Sequence, residues 1–164
     1  MREKAVELHK TRTEKGQRLV EFALVIPLLL LLMVGIFEFG YFFFVYGSVT
    51  TAAREAVRYG SGTGTSDNGM PYYQDCDGIK ERARRIGQYA GIQNEDVDIF
   101  YDTGPGSTSL GDCDGTLEPT MGERIVVMVT VDYHPIVLNW GALNGLLIES
   151  ESARTIIHRM QVGG

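Results

Sequence analysis

One long apolar stretch near the N-terminus constrains the fold of this chain most strongly. Residues 22–37 contain no charged side chain, and beyond Glu38 the sequence stays apolar to Tyr46. This run of roughly 25 residues exceeds the ~20 that an α-helix needs to cross the hydrocarbon core of a bilayer. The sequence therefore predicts one membrane-spanning helix, with the polar remainder of the chain folded outside the bilayer.

Basic residues predict the orientation of this helix. Several lie just before the apolar run, whereas Arg54 and Arg58, the first after it, lie farther from its end. Because the more basic flank stays in the cytoplasm, we expect a cytoplasmic N-terminus, a single pass through the cytoplasmic (inner) membrane and an exported C-terminal part. The preceding basic residues are Lys10, Arg12, Lys15 and Arg18.

The residues alone leave three interpretations of the apolar run. A cleaved secretory signal has an apolar core of only about 7 to 15 residues and a small-residue cleavage site, which is not evident here. A plain single-pass anchor explains the hydrophobicity, but it assigns no role to Glu21, a costly carboxylate at the edge of the apolar run. The third interpretation, cleavage after Gly16, gives Glu21 a role.

Cleavage after Gly16 would create an α-amino group on Gln17, one helical turn from the Glu21 carboxylate. Such a pair, within one subunit or between neighbours, makes the carboxylate tolerable at low dielectric. The carboxylate would also meet the positive end of the helix dipole. Gly16 suits a cleavage point because glycine is a poor helix former and leaves the backbone free to extend.

The pattern Gly16-x4-Glu21, followed by an apolar stem, resembles a prepilin-type (class III) signal. Around it, the segments EFALVIPLLL, GIFEFG and AAREAVRY resemble the TadE-like minor pilins, or pseudopilins, of the tight-adherence (Tad, or Flp pilus) type IV pilus system. The resemblance is close over residues 1–60 and looser beyond them. Arg18 departs from the family pattern, which more usually has a small or apolar residue there.

The resemblance implies that prepilin peptidase cuts the chain between Gly16 and Gln17. Residues 1–16 would then be a leader, residues 17–60 a stem helix and residues 61–164 an exported pilin-like domain. The stem would join other pilin or Tad-system subunits in a pilus or secretion assembly that mediates adherence. The alternative function is an unprocessed single-pass anchor that carries an extracytoplasmic binding domain.

Two residues inside the stem have open roles. Glu38 could extend its carboxylate to the membrane interface, or it could lie in a helix-to-helix contact that Gly35 and Gly40 permit. The resemblance implies the second role. Pro27 should kink the helix or open one hydrogen bond, either as a tolerated bend in lipid or as a flex point for assembly.

The polar remainder predicts an α+β fold, in which a long helix and a short helix accompany a small antiparallel sheet. The long helix should run from about residue 18 to 60, with one apolar face formed by Val49, Ala53, Ala56 and Val57. The short helix is expected at 78–91 and the strands at 97–101, 124–133 and 147–159, with glycine-rich loops at 60–69 and 102–122.

An apolar connection, residues 136–147, joins the last two predicted strands. Loops are seldom so apolar, because they run over the surface. Either the connection packs onto the stem helix or under the sheet, or it forms an exposed patch. In the second case Trp140 would lie at the membrane interface or against a neighbouring subunit.

The tetrapeptide Asp-Cys-Asp-Gly occurs twice, around Cys76 and Cys113. In an oxidising exported compartment two cysteines most simply form a disulfide. That bond would bring four carboxylates together, which either remain solvated in turns or bind calcium. Two cysteines without a nearby histidine fall short of a zinc site. The four carboxylates are those of Asp75, Asp77, Asp112 and Asp114.

Charge and motifs argue against other classes of function. The net charge of −6 would become about −8 without the leader, which holds five basic and three acidic residues, and nucleic-acid binding needs a basic surface. No nucleophile, metalloprotease or phosphate-binding motif is present. We therefore expect no enzyme activity, no small-molecule substrate and no cofactor, calcium excepted, and we expect the membrane and pilus subunits as partners.

Overall fold

The computed structural model describes residues 2–114, 117–120, 122–137 and 145–157, with side chains from residue 17 onward. The chain divides into two compact units, Met1–Tyr41 and Phe42–Gly164. The second unit is called the head domain below. Together the units have a long helix, a short helix and a four-stranded antiparallel sheet, which confirms the predicted α+β class.

Helix α1 comprises Arg2–Gly60 and passes through Gly16 and Pro27. It begins well before residue 18, the predicted start, because the first residues are rich in Glu, Lys, Ala, Leu and Arg, all good helix formers. The predicted long apolar helix is confirmed over Gln17–Gly60, and α1 extends it further toward the N-terminus.

The last third of α1 lies in the head domain and packs through the predicted face. Val49, Ala53, Ala56 and Val57 are all buried. Small residues on this face let other elements approach the helix backbone closely. At Gly60, an added Cβ atom would lie only 2.6 Å from the Cδ1 atom of Ile125.

The sheet has the strand order β2-β1-β3-β4, and all neighbouring strands are antiparallel. Three strands match the predicted ones, although the last ends at residue 155 rather than 159. Residues 158–159 lie outside the described residues. The strands are β1 (Val97–Asp102), β2 (Gly111–Asp112), β3 (Arg124–Tyr133) and β4 (Leu146–Thr155). The predicted glycine-rich loop at 102–122 contains β2, which the sequence analysis missed.

Strand β3 runs along α1 in the opposite direction. The ring of Phe42 contacts the ring of Tyr133, with centroids 5.4 Å apart, and Gly60 lies against Ile125. The eighteen helical residues between these contacts rise about 27 Å, and eight strand residues cover about the same distance. The strands therefore lie nearly along the helix, and β4 runs in the same direction as α1.

Helix α2 comprises Cys76–Gly87, two residues earlier than predicted at its start. A 3-10 turn, Gln88–Ala90, continues it to Gly91, where φ is +81°. A left-handed conformation is favourable for glycine, so the predicted stop at Gly91 is confirmed. Two further 3-10 turns, Tyr72–Gln74 and Asn94–Asp96, flank the helix region.

The structure describes the 60–69 loop in full and the apolar connection 136–147 only at its two ends. The 60–69 loop is a hydrogen-bonded turn, in which Ser66 N donates to Met70 O at 2.7 Å and Thr65 forms a bridge with Pro71. In the apolar connection, Ile136 and Val137 are exposed. Residues 138–144 lie outside the described residues, and with them Trp140, which one of the two alternatives placed at the membrane interface or against a neighbouring subunit.

Candidate functional site

Gln17 and Glu21 face each other one helical turn apart on α1. The Gln17 side chain donates a hydrogen bond from Nε2 to Glu21 Oε1 at 3.2 Å. The i to i+4 spacing of a helix produces this proximity. It is the spacing on which the predicted pairing between a new Gln17 amine and the Glu21 carboxylate depends, although the geometry does not test whether the chain is cut.

From Phe22 to Met33 the surface of α1 is apolar and exposed on all sides. Phe22 is 63% exposed, Leu24 72% and Leu31 71%. Water disfavours so large an apolar surface, since ~25 cal/mol is lost for each Å² left in contact with it. By length and composition, the helix from Gln17 to Gly60 contains a segment that can cross a membrane.

Glu38 differs from its neighbours on the stem because it is buried, with only 5% of its surface exposed. Gly35 and Gly40 would each admit a Cβ atom without any contact within 4 Å.

Comparison with known families agrees with this geometry. The family model described as TadE-like protein matches residues 16–58. This part of the chain is TadE-like. The resemblance inferred from the sequence is confirmed there, and it is consistent with a TadE-like protein of the Tad system. Neither the curated proteins nor the solved structures compared with the chain gave a match.

The TadE-like segment begins at Gly16 and ends within the buried face of α1. It therefore contains Glu21, Glu38 and the helix surface on which the head domain folds. Together, the family match and the long apolar helix support a membrane-anchored TadE-like protein. Most of the head domain lies beyond the match, and its properties follow from the structure alone.

The head domain contains the predicted disulfide, between Cys76 and Cys113. It joins the first residue of α2 to the residue after β2 and closes a separation of 37 residues. Two hydrogen bonds support the same junction: Gln74 Nε2 donates to Leu117 O at 3.2 Å, and Cys113 N donates to Ile99 O at 2.9 Å. The disulfide therefore holds the glycine-rich segment against the sheet.

The four aspartates around the disulfide do not form a cation site in this geometry. Asp75 is buried and already accepts two hydrogen bonds, from Gly78 N at 3.1 Å and from the Tyr59 hydroxyl at 2.7 Å. Within the described part of the chain, no group of three or more His, Cys, Asp or Glu side chains could hold a metal ion. The calcium hypothesis for Asp75, Asp77, Asp112 and Asp114 thus gains no support from the donor geometry.

Asp75 has a structural role that the sequence analysis missed. Its carboxylate caps the N-terminus of α2 and also binds Tyr59, the penultimate residue of α1, so that it joins the two helices. The ring of Tyr59 lies between Tyr72, with centroids 4.8 Å apart, and the Arg82 guanidinium, 5.0 Å from the ring centre. An aspartate directly before an amphipathic run is a capping signal and could have revealed the first of these contacts.

Tyr101 is buried beside the disulfide, and its hydroxyl donates to the backbone oxygen of Tyr73 and lies 3.1 Å from Cys113 Sγ. We expect Tyr101→Phe to lower the free energy of unfolding by about 1–2 kcal/mol, because the Tyr73 carbonyl loses its buried donor. Chemical denaturation of the full chain in detergent measures this. Tyr89→Phe, at a position 78% exposed, is the control and should leave the stability unchanged.

The same variant should change the dependence of stability on pH. Burial, and then the nearby charge of Asp114, raises the pKa of Tyr101 to about 12, whereas an unfolded tyrosine titrates near 10. Below about pH 10 both states hold the proton; between about 10 and 12 only the unfolded state ionises, so stability falls as pH rises. The fall should be shallower in Tyr101→Phe than in the unmodified chain. If stability fell with pH equally in both chains, the raised pKa of Tyr101 in the folded state would be contradicted.

Proposed function

We propose that this chain is a minor pilin, or pseudopilin, of a Tad-type pilus or secretion assembly. Prepilin peptidase would cut it after Gly16, and residues 17–60 would anchor it in the inner membrane and join neighbouring subunits. Residues 61–164 would be exported and contribute to assembly and adherence. The observation that carries this proposal is the TadE-like match, which begins at the glycine five residues before the stem carboxylate.

Several properties of the described residues support the proposal. The exposed apolar surface of α1 needs lipid or other stems to cover it. Glu21 lies one turn from Gln17, where a new amine would neutralise it. The disulfide of the head domain fits an oxidising exported compartment.

The deciding measurement is the N-terminus of the membrane-purified protein, determined by mass spectrometry. We expect it at Gln17 in the unmodified chain and an uncut leader in Gly16→Ala. Gly35→Ala is the matched control, since it also replaces a glycine of α1 and meets no atom within 4 Å. An intact leader in the unmodified chain would overturn the proposal and leave a single-pass anchor with an extracytoplasmic binding domain.

Glu21→Gln tests the role of the carboxylate. The substitution keeps the size of the side chain and removes its charge, so membrane insertion and cleavage should proceed. Incorporation into assemblies should fall by at least about tenfold, because an unpaired amine at low dielectric costs well over 1.4 kcal/mol. Quantitative co-purification with pilus subunits measures incorporation. Normal incorporation of Glu21→Gln would contradict the proposed pairing.

A further inference from the structure

Among the described residues, none pairs with the outer edge of strand β4. It pairs with β3 over all ten of its residues. Its outer side forms no backbone hydrogen bond with any residue in the described ranges. The strand contains neither a proline nor an interruption of its register, two features by which proteins commonly close sheet edges.

The other edge of the sheet offers less backbone to an added strand. Strand β2 has only two residues. The segment around it bonds to β1, through Leu110 N to Tyr101 O at 2.8 Å and Cys113 N to Ile99 O at 2.9 Å, and the disulfide at Cys113 fixes it further. Among the described residues, β4 is therefore the long sheet edge with unpaired backbone groups.

The positions of the free backbone groups on β4 follow from one hydrogen bond. Ile156 N donates to Glu123 O at 2.9 Å, so the backbone groups of the even-numbered residues point toward β3. Strand backbones alternate, and those of residues 147, 149, 151, 153 and 155 therefore point outward. The side chains of these residues lie on the face of the sheet away from α1. Glu149 pairs with Thr130 and Glu151 with Met128, which are even-numbered residues of β3. The odd-numbered Ile125 contacts α1, so the even-numbered residues of β3 lie on the opposite face.

We propose that β4 accepts an additional strand, an extended segment of another polypeptide with basic residues at alternate positions. Glu149 and Glu151 are exposed at this edge and lie opposite the incoming side chains, where opposite charges attract and like charges repel. Leu147, 57% exposed, would pair with an apolar residue at one end. In the antiparallel arrangement, the segment has the pattern basic-x-basic-x-apolar.

Antiparallel pairing with the β4 strand of a second copy does not fit this edge, because it reverses one copy along the strand direction. Since β4 runs alongside α1, the Phe42 end of one copy would then lie beside the Gly60 end of the other. Two chains anchored in one membrane both have the Phe42 end at the bilayer. The antiparallel pair of copies is excluded on the basis of the proposed anchoring. The unpaired edge of β4 does not depend on that anchoring.

The test uses the full chain in detergent and a fluorescent nine-residue peptide, TEVTKTKVL, whose lysines would lie opposite Glu151 and Glu149. The comparison peptide is TEVTETEVL. We expect fluorescence anisotropy to show binding of the lysine peptide at least about tenfold tighter, since reversal at two opposed pairs is worth ~1.4 kcal/mol or more. Glu149→Lys/Glu151→Lys should reverse this preference. Equal binding of the two peptides, or no binding, would overturn the proposal.

Ala153→Pro separates backbone pairing from simple charge attraction. It removes an outward N–H group but leaves the ladder with β3 intact, so it should abolish binding without changing the melting curve. Binding that survives this substitution would show attraction without an added strand and would overturn the proposal. The unmodified chain could instead form a dimer that Ala153→Pro dissociates. That result would also overturn the proposal, because a second copy would then be the occupant of the β4 edge. Peptide binding is independent of cleavage at Gly16, so either proposal can fail alone.

Discussion

Replacement of both cysteines, Cys76→Ser/Cys113→Ser, is expected to lower the free energy of unfolding of the head domain by about 4 kcal/mol. The disulfide closes a 37-residue separation, and the entropy that this removes from the unfolded chain corresponds to about that value. For a domain of this size the melting temperature should fall by roughly 15 °C. Near-ultraviolet circular dichroism of the full chain in detergent follows the tyrosines of the head domain during melting.

Reduction provides the control for this prediction. A thiol reductant should shift the melting temperature of the unmodified chain toward that of the double variant and should leave the double variant unchanged. The helical signal of residues 17–41 should persist in both, because this part of α1 lies outside the head domain. A loss below about 1 kcal/mol would mean that the bonds from Gln74 to Leu117 and from Cys113 to Ile99 hold the junction without the disulfide.

Local patterns in the sequence predicted the elements of this fold. The 3.6-residue repeat placed Val49, Ala53 and Val57 on the buried face of α1, and the two-residue repeat located β3. The repeated Asp-Cys-Asp-Gly tetrapeptide indicated the disulfide. The repeats that predict a helix or a strand depend only on residues close together in the sequence. The disulfide could be predicted because each of the two cysteines has only the other as a partner.

Contacts that depend on distant residues could not be predicted in this way. Strand β2 is a pair of residues, Gly111 and Asp112, that becomes a strand only because β1 lies beside it. The ion pair between Arg124 Nε and Asp102 Oδ1, at 2.7 Å, exists because the register places these residues opposite each other. A strand pattern predicts faces but not register, so neither feature is visible in the sequence.

The candidate site also contains both kinds of feature, those set by neighbouring residues and those that depend on contacts between distant residues. The spacing between Gln17 and Glu21 is local, and the sequence predicted it correctly. The bond between Tyr59 and Asp75 depends on how α1 packs against α2. The sequence analysis considered Asp75 either as a solvated turn residue or as a calcium ligand, whereas in the structure its carboxylate caps α2 and binds α1.

Ile125→Ala is expected to lower the free energy of unfolding of the head domain by about 4 kcal/mol, within the usual range of 2–5 for a buried isoleucine. Ile125 is completely buried on β3, between Tyr101 and Arg154 in the sheet register and against Gly60 of α1. Chemical denaturation measures the loss. Ile157→Ala removes the same atoms at a position 65% exposed and should cost less than about 0.5 kcal/mol.

A second substitution at Gly60 tests whether the close approach of α1 and β3 causes the effect. Gly60→Ala alone should destabilise the domain, because its Cβ atom would lie 2.6 Å from Ile125 Cδ1 and 2.9 Å from Ile79 Cδ1. In the Ile125→Ala background the larger conflict is gone and the new methyl group fills part of the cavity. The double variant should therefore be more stable than the sum of the single losses predicts. Strict additivity would mean that Ile125 stabilises the sheet without its contact to the helix.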